Sequence, residues 1–284
     1  MDLRELDITS ENLEEVLNDL VAGIADLDGV EKRLGVDLRN MTQLMRKYPH
    51  NDDLYHNGED VLTHIGWVMD DVARLSAGMD AETRILLKLT GLCHDLGKTY
   101  TYAYNDEKKK HTFYDHAAKS VLIAEALLAR HREALGGLYQ RVLDFTRLHD
   151  VFLALAHERG TGGGLAYTRP LLKEAIYRDG LLADLLTFAK ADSFRARSHQ
   201  DKLHEIEGVL EDVKKYEQVQ AAAEAEKARQ RQNAVDRVPE IRAYLVTDAP
   251  DAASALPDLQ AAKRLLGMAK RYDLLKGIEA IVAR

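Results

Sequence analysis

A few positions in this chain combine a reactive residue type with a setting that ordinary surface residues do not share. His64 lies inside an amphipathic stretch, VLTHIGWVMDDVARL. His94 and Asp95 are adjacent near the end of a nearly apolar run, TRILLKLTGLCHDLGK. His116 opens a segment that comes after an aromatic and basic loop. His149 lies in VLDFTRLHDVFLALA, and Asp192 in FAKADSF. A carboxylate in apolar surroundings is costly unless it is paired or bound to metal. Imidazoles and carboxylates gathered from several segments can meet that cost with a divalent ion. Mixed nitrogen and oxygen ligands suit Zn, Mn, Fe, Co or Ni, and Mg less cleanly. Two such ions bridged by a carboxylate would lower the pKa of a bound water and neutralise phosphoryl oxygens. The chemistry within reach is therefore metal-assisted hydrolysis of a phosphate ester.

The ordinary reading stands beside this one. The chain has eleven histidines, and any one of them is more often a surface or hydrogen-bonded core residue than a ligand. His50, His56, His131, His199 and His204 are assigned to that ordinary class. His64, His94 and Asp192 are too far apart to form a local motif such as HExxH. Lys98, one turn beyond His94 and Asp95, is either a cation for a phosphate oxygen or a solvated residue at a helix end. Lys108, Lys109 and Lys110 either steer an anionic substrate or form a wet surface. Tyr55, His56 and Asn57 are candidates to line a pocket. Gly162 to Gly164 do not make a phosphate-binding loop, since no GKS or GKT comes after them and no strand precedes them. No GxSxG elbow is present. Cys93 reads as buried and is a poor nucleophile candidate.

The elements that must position these residues read as helices. Leu13, Val16, Leu17 and Leu20 form a helical stripe after Ser10, and Gly29 and Gly35 punctuate the stretch beyond it. A loop with Pro49, Asn51, Asn57 and Gly58 leads into a helix from about Asp60, with Val61, Ile65, Val68 and Val72 at helical spacing. The next helix is so apolar that it belongs in the core, and Gly97 is expected to close it. Residues 99–116 read as a loop or short hairpin. Helices are then expected at 116–131, 136–158, 169–177 and 181–197. Beyond residue 200 the sequence is charged and poor in large apolar residues. It reads as one long helix or a helical hairpin, then a short extended piece in EIRAYLVTD and one or two closing helices. The expected class is all-α, with three parts: 1–47, 48–200 and 201–284.

Bulk properties agree with a helical globular protein. The 284 residues are 46% hydrophobic and 6% aromatic, with only five prolines. The formal charge of -8 gives no global attraction to nucleic acid or anionic membrane. A single cysteine cannot form an internal disulfide. The N-terminus lacks a signal-peptide core, and no apolar run reaches membrane-span length. A cytoplasmic protein with no membrane partner is expected.

The residues also carry a resemblance. LYHNGEDVLTH, LTGLCHDLGK, FYDHAAKS, a histidine in a later helix and FAKAD together resemble the HD superfamily of metal-dependent phosphohydrolases, and in wording the HD region of bacterial tRNA nucleotidyltransferases. The similarity covers about residues 48 to 197. It implies an HD-domain helical bundle with additional C-terminal helices. It also implies one or two divalent ions (Mn, Ni, Co, Fe, Mg or Zn) held by His64, His94, Asp95 and Asp192, with His116 and His149 at a second position and Asp95 shared. The implied reaction is hydrolysis of a phosphomonoester or phosphodiester of a nucleotide or RNA end by a metal-activated water, as a phosphatase, nucleotidase or phosphodiesterase. Asp95, Lys98, His116 and His149 are the implied catalytic residues. The alternatives are a triphosphohydrolase or pyrophosphohydrolase, a cyclic-nucleotide phosphodiesterase, or a non-catalytic metal-binding regulator. No polymerase head precedes the match, so nucleotide addition is not expected. The helix after residue 200 is a candidate contact for a homodimer.

Overall fold

A computed structural model describes residues 2–53, 56–161, 168–239, 260–261, 263–272 and 275–276. Tyr55, Gly162 to Gly164 and the EIRAYLVTD segment lie outside the described residues. In chain order the helices are α1 (Leu13–Ala22), α2 (Leu27–Leu34), α3 (Met41–Lys47), α4 (Val61–Leu75), α5 (Ala81–Cys93) and α6 (Lys98–Thr101). A hairpin of β1 (Ala103–Asn105) and β2 (Lys110–Thr112) comes next, paired antiparallel with Tyr104 opposite His111. Then come α7 (His116–Leu128), a 3-10 turn (Ala129–His131), α8 (Arg132–Leu135), α9 (Gly137–Leu148), α10 (Val151–Gly160), α11 (Arg169–Lys173), α12 (Ala175–Arg178), α13 (Leu182–Asp192) and α14 (His199–Asp236). Among the described residues the chain is all-α apart from the hairpin, as expected. It divides into two compact units, Met1–Asp212 and Val213–Arg284. The second unit holds the continuation of α14 and, among its described residues, a helical stretch over 263–268. No helix of the described residues is long and apolar enough to cross a membrane.

Within the first unit, α5 packs against α4, α9, α7 and α13, and α7 packs against α9. The sequence explains this central place. Leu86, Leu87, Leu89, Leu92 and Cys93 are all buried, each large apolar side chain contributing about 1.5–3 kcal/mol of transfer free energy. On α4 the expected stripe of Val61, Ile65, Val68 and Val72 is buried, and His64 lies on the same side. Both helices begin with one device. Asp60 accepts from the Thr63 amide and hydroxyl at 2.9 and 2.8 Å, and Asp80 does the same with Thr83. Each cap satisfies an amide that the helix itself leaves open.

Several helix ends differ from the sequence reading. Gly29 lies inside α2, its amide capped by Asp26, and Gly35 alone ends that helix in the left-handed conformation. The expected helix over 136–158 is broken at His149 and Asp150. The helix expected to reach residue 197 stops at Asp192. Gly97 does not close α5, which ends at Cys93. It serves a close approach instead: its amide donates to Ser120 Oγ at 2.8 Å. A side chain there would lie 2.1 Å from the His116 carbonyl oxygen.

Candidate metal centre

Most of the ligand-type residues sit at helix ends, three of which sequence patterning misplaces; the start of α7 at His116 is as expected. His94 caps the C-terminus of α5, His116 opens α7, His149 caps α9, and Asp192 is the last residue of α13. At the C-terminal ends of α5 and α9 backbone carbonyls have no intrahelical partner, and the loop before α7 offers another. Three of the histidines use one. His94 Nδ1 lies 2.9 Å from Gly91 O, His116 Nδ1 2.9 Å from Phe113 O, and His149 Nδ1 2.7 Å from Thr146 O. A carbonyl only accepts, so each Nδ1 carries the proton in the neutral ring and each Nε2 keeps its lone pair. His64 is held through the same atom by a carboxylate, with Nδ1 3.3 Å from Glu59 Oε1. Partners of this kind fix the orientation and tautomer of metal-binding imidazoles.

The Nε2 atoms converge on Asp95. Its Oδ2 is 3.4 Å from His64 Nε2 and 3.3 Å from His94 Nε2. Its Oδ1 is 3.4 Å from His116 Nε2 and 3.6 Å from His149 Nε2. Asp192 Oδ1 closes the first side, 3.1 Å from His64 Nε2 and 3.5 Å from His94 Nε2. Ligand atoms of His64, His94 and Asp192 form one compact group, and those of Asp95, His116 and His149 form another, each within 4.8 Å. Asp95 thus turns one oxygen to each group.

These residues fit divalent metal. His94 Nε2 and both Asp95 oxygens are buried and make no hydrogen bond among the described residues. A buried polar atom without a hydrogen bond costs about 1–3 kcal/mol; Asp95 Oδ2 has the Lys98 ammonium at 2.7 Å, and His94 Nε2 and Asp95 Oδ1 each face a group of ligand-type atoms. His116 Nε2 and His149 Nε2 lie 3.1 Å apart, close for two lone pairs unless a proton or cation lies between them. The charge balance points the same way. Burial works against the carboxylates, yet Lys98 and His94 hold Asp95 well below the usual range, and the hydrogen bond from His64 with the nearby His94 does the same for Asp192. Burial likewise disfavours the charged His94 ring, but Asp95 and Asp192 push it up to about 10. The carboxylates demand positive charge on ligand-type nitrogens.

Four further residues join the site that sequence reading had not assigned as ligands. Asp150 Oδ2 lies 3.2 Å from His116 Nε2 and 3.4 Å from His149 Nε2. Burial opposes its charge, but His149 and His116 keep it at about 2. The signal was present, since His149-Asp150 repeats the His94-Asp95 pairing. Glu59 joins His64 to His56, whose Nδ1 is 2.9 Å from Glu59 Oε1. His50 stacks on His56 with ring centroids 4.0 Å apart. Six imidazoles, His56, His50, His64, His94, His149 and His116, form an unbroken run of ring contacts. His50, His56 and Glu59 form a third group of ligand-type atoms.

Lys98 is buried rather than solvated, with Nζ 2.7 Å from Asp95 Oδ2. Lys202, on the first turn of α14, is also buried; burial pushes its ammonium down while Asp192 works the other way. Asn57 donates to Arg195 O at 3.0 Å from the loop before α4. Lys108, Lys109 and Lys110 lie exposed on the hairpin. Cys93 is fully buried, its thiol pushed up to about 12 by desolvation.

Residues 61–186 match the HD domain family. The chain carries an HD domain. That domain and the groups of histidines and carboxylates support a metal-dependent phosphohydrolase function. The matched residues run from the start of α4 into α13 and so contain His64, His94, Asp95, His116 and His149; Asp192, at the end of α13, lies a few residues beyond the match. No curated protein and no solved structure matches the chain.

Proposed function

We propose that this protein hydrolyses phosphomonoester or phosphodiester bonds of nucleotides or RNA ends. The observation that carries the reading is Asp95, buried, with one oxygen toward His64 and His94 and the other toward His116 and His149. In this reading His64, His94, Asp95 and Asp192 hold one divalent ion, and Asp95, His116 and His149 hold a second, with Asp150 beside it. Bound divalent ions supply Lewis-acid stabilisation of phosphoryl oxygens and a more acidic water. Lys98, beside Asp95, offers a further cation to a non-bridging phosphoryl oxygen. Glu59 and the carbonyls of Gly91, Phe113 and Thr146 keep the imidazoles turned toward the reacting centre. The choice of a nucleotide or RNA end rests on the likeness of LYHNGEDVLTH and LTGLCHDLGK to nucleotidyltransferase HD regions.

The test uses chelator-stripped protein with Mn, Ni, Co, Mg or Zn restored in turn. Bis-p-nitrophenyl phosphate, p-nitrophenyl phosphate, nucleoside monophosphates and 2',3'-cyclic nucleotides serve as substrates. Turnover restored by metal and abolished in a folded Asp95→Ala variant is expected. No turnover with any metal on any of these esters, or full activity in Asp95→Ala, would refute the proposal. Metal content near two ions per chain, falling in His116→Ala, is the expected stoichiometry.

A further inference from the structure

Lys98 carries a flexible ammonium on a four-carbon stem, and its pairing with Asp95 Oδ2 at 2.7 Å does not by itself fix the direction of its other N–H bonds. We propose that His50 is a positioning residue for Lys98, accepting one N–H of the ammonium that Asp95 also holds, so that a third N–H is aimed at an incoming phosphoryl oxygen. The inference rests on the phosphohydrolase reading above.

The geometry leaves one arrangement of protons. His50 Nδ1 lies 3.1 Å from the Glu59 backbone carbonyl, so Nδ1 is the donor. His50 Nε2 lies 3.0 Å from Lys98 Nζ. An ammonium has only donors, so Nε2 must accept. A doubly protonated ring would set one donor against another in a buried place, where His50 is 2% and Lys98 8% exposed. His50 is therefore neutral, and a continuous path runs from the Glu59 carbonyl through His50 to Lys98.

The path matters because the ion pair with Asp95 leaves the other N–H bonds of Lys98 undirected. Its Nζ is 2.7 Å from Asp95 Oδ2 and 3.0 Å from His50 Nε2. Asp95 Oδ2 is also the oxygen that faces His64 and His94. The Phe113 ring, 5.6 Å from Nζ and packed on His50, covers another side. In the proposed arrangement a third N–H is left for substrate. His50 also belongs to the group with His56 and Glu59, but both its ring nitrogens are engaged, so it has no lone pair to offer a metal.

Three measurements test this. On metal-free protein, two-bond nitrogen–proton NMR at pH 7 should find His50 neutral with the proton on Nδ1. His50→Phe, which keeps a ring and removes the acceptor, should lower kcat toward bis-p-nitrophenyl phosphate roughly ten- to a hundredfold, the scale of a lost hydrogen bond to a charged group. His50→Gln, which keeps an acceptor near Nε2, should recover most of that loss. In a Lys98→Ala background His50→Phe should cost less than about twofold, because the two act through one contact. Mn content should match wild type throughout. A ring protonated on Nε2, an equal loss in the Lys98→Ala background, or a lost metal ion in His50→Phe would each overturn the proposal. If wild type cuts no phosphoester, the phosphohydrolase reading fails, while the NMR result still decides the His50–Lys98 contact.

Discussion

Gly97 makes the most demanding prediction, because it ties packing directly to the metal centre. Replacing it by Ala sets a methyl group 2.1 Å from the His116 carbonyl oxygen and 2.6 Å from the Ser120 amide nitrogen. Both are backbone atoms of the first turn of α7, so no side-chain rotation relieves the clash. Moving the carbonyl from 2.1 Å to the 3.4 Å of an ordinary contact takes about 1.3 Å. That shift must be taken up by the strand of chain that carries His116, whose Nε2 is 3.4 Å from Asp95 Oδ1. Overpacking of this kind costs on the order of 1–3 kcal/mol, and a displacement of roughly 1 Å at a reacting site costs about a hundredfold in rate. Gly97→Ala should therefore lower the urea midpoint, and at saturating Mn its kcat should fall about a hundredfold. Gly137→Ala serves as the control, since nothing lies within 4 Å of a side chain there, and it should leave both quantities near wild type. A Gly97→Ala protein with wild-type stability and kcat would show that α6 and α7 do not approach as closely as described, and the link from Gly97 to His116 would fall.

Three further outcomes are expected from the same geometry. Glu59→Gln removes the charge that holds His64 Nδ1, and metal titration should find one ion bound roughly 10- to 100-fold more weakly; unchanged affinity would contradict the role given to Glu59. In chelator-treated protein the raised pKa of His94, about 10 against a usual 6.5, stabilises the fold fully below pH 6.5 and less as pH rises toward 10. The urea midpoint should decline over that window, and saturating metal should reverse the trend because it binds the unprotonated ring; a flat metal-free profile would count against the charge balance described. Cys93, buried and pushed up to about 12, should resist iodoacetamide at pH 8 until denaturant is added, as read by mass spectrometry; fast labelling of the native protein would place it outside the core.

Helix existence was legible because burial leaves a periodic trace. The α4 stripe and the apolar α5 have local causes, and so did the expectation of a helical fold. His64, His94, Asp95, His116, His149 and Asp192 stood out as ionisable residues in apolar or amphipathic settings, with the HD-superfamily likeness grouping them. Their ends were another matter. Sequence patterning ran one helix through His149 and Asp150 and another past Asp192, because Val151, Phe152 and Leu153 continue beyond the first position and Phe194 and Ala196 beyond the second, and hydrophobic period carries no mark for a stop. In the structure the chain breaks at 149–150 and after 192, freeing carbonyls and turning side chains inward.

Single-residue decisions of that kind belong to tertiary structure. Lys98 fits a solvated helix end as well as a buried cation, and only packing of Phe113 and His50 around it selects the second. His50, His56 and Glu59 are polar residues in a loop rich in Asn, Asp and Gly, so no local pattern distinguishes them. They enter the site through the antiparallel pairing of Pro49 with Asp60 and the hydrogen bond of His50 to Glu59 O. The sequence by itself determined which residues could bind a cation and that helices would carry them. Which lone pairs face one another between His64 and Asp192, 128 positions apart, was decided by how α4 packs and where α5, α9 and α13 end, since a ligand set depends on the direction of each imidazole and a sequence records only its position.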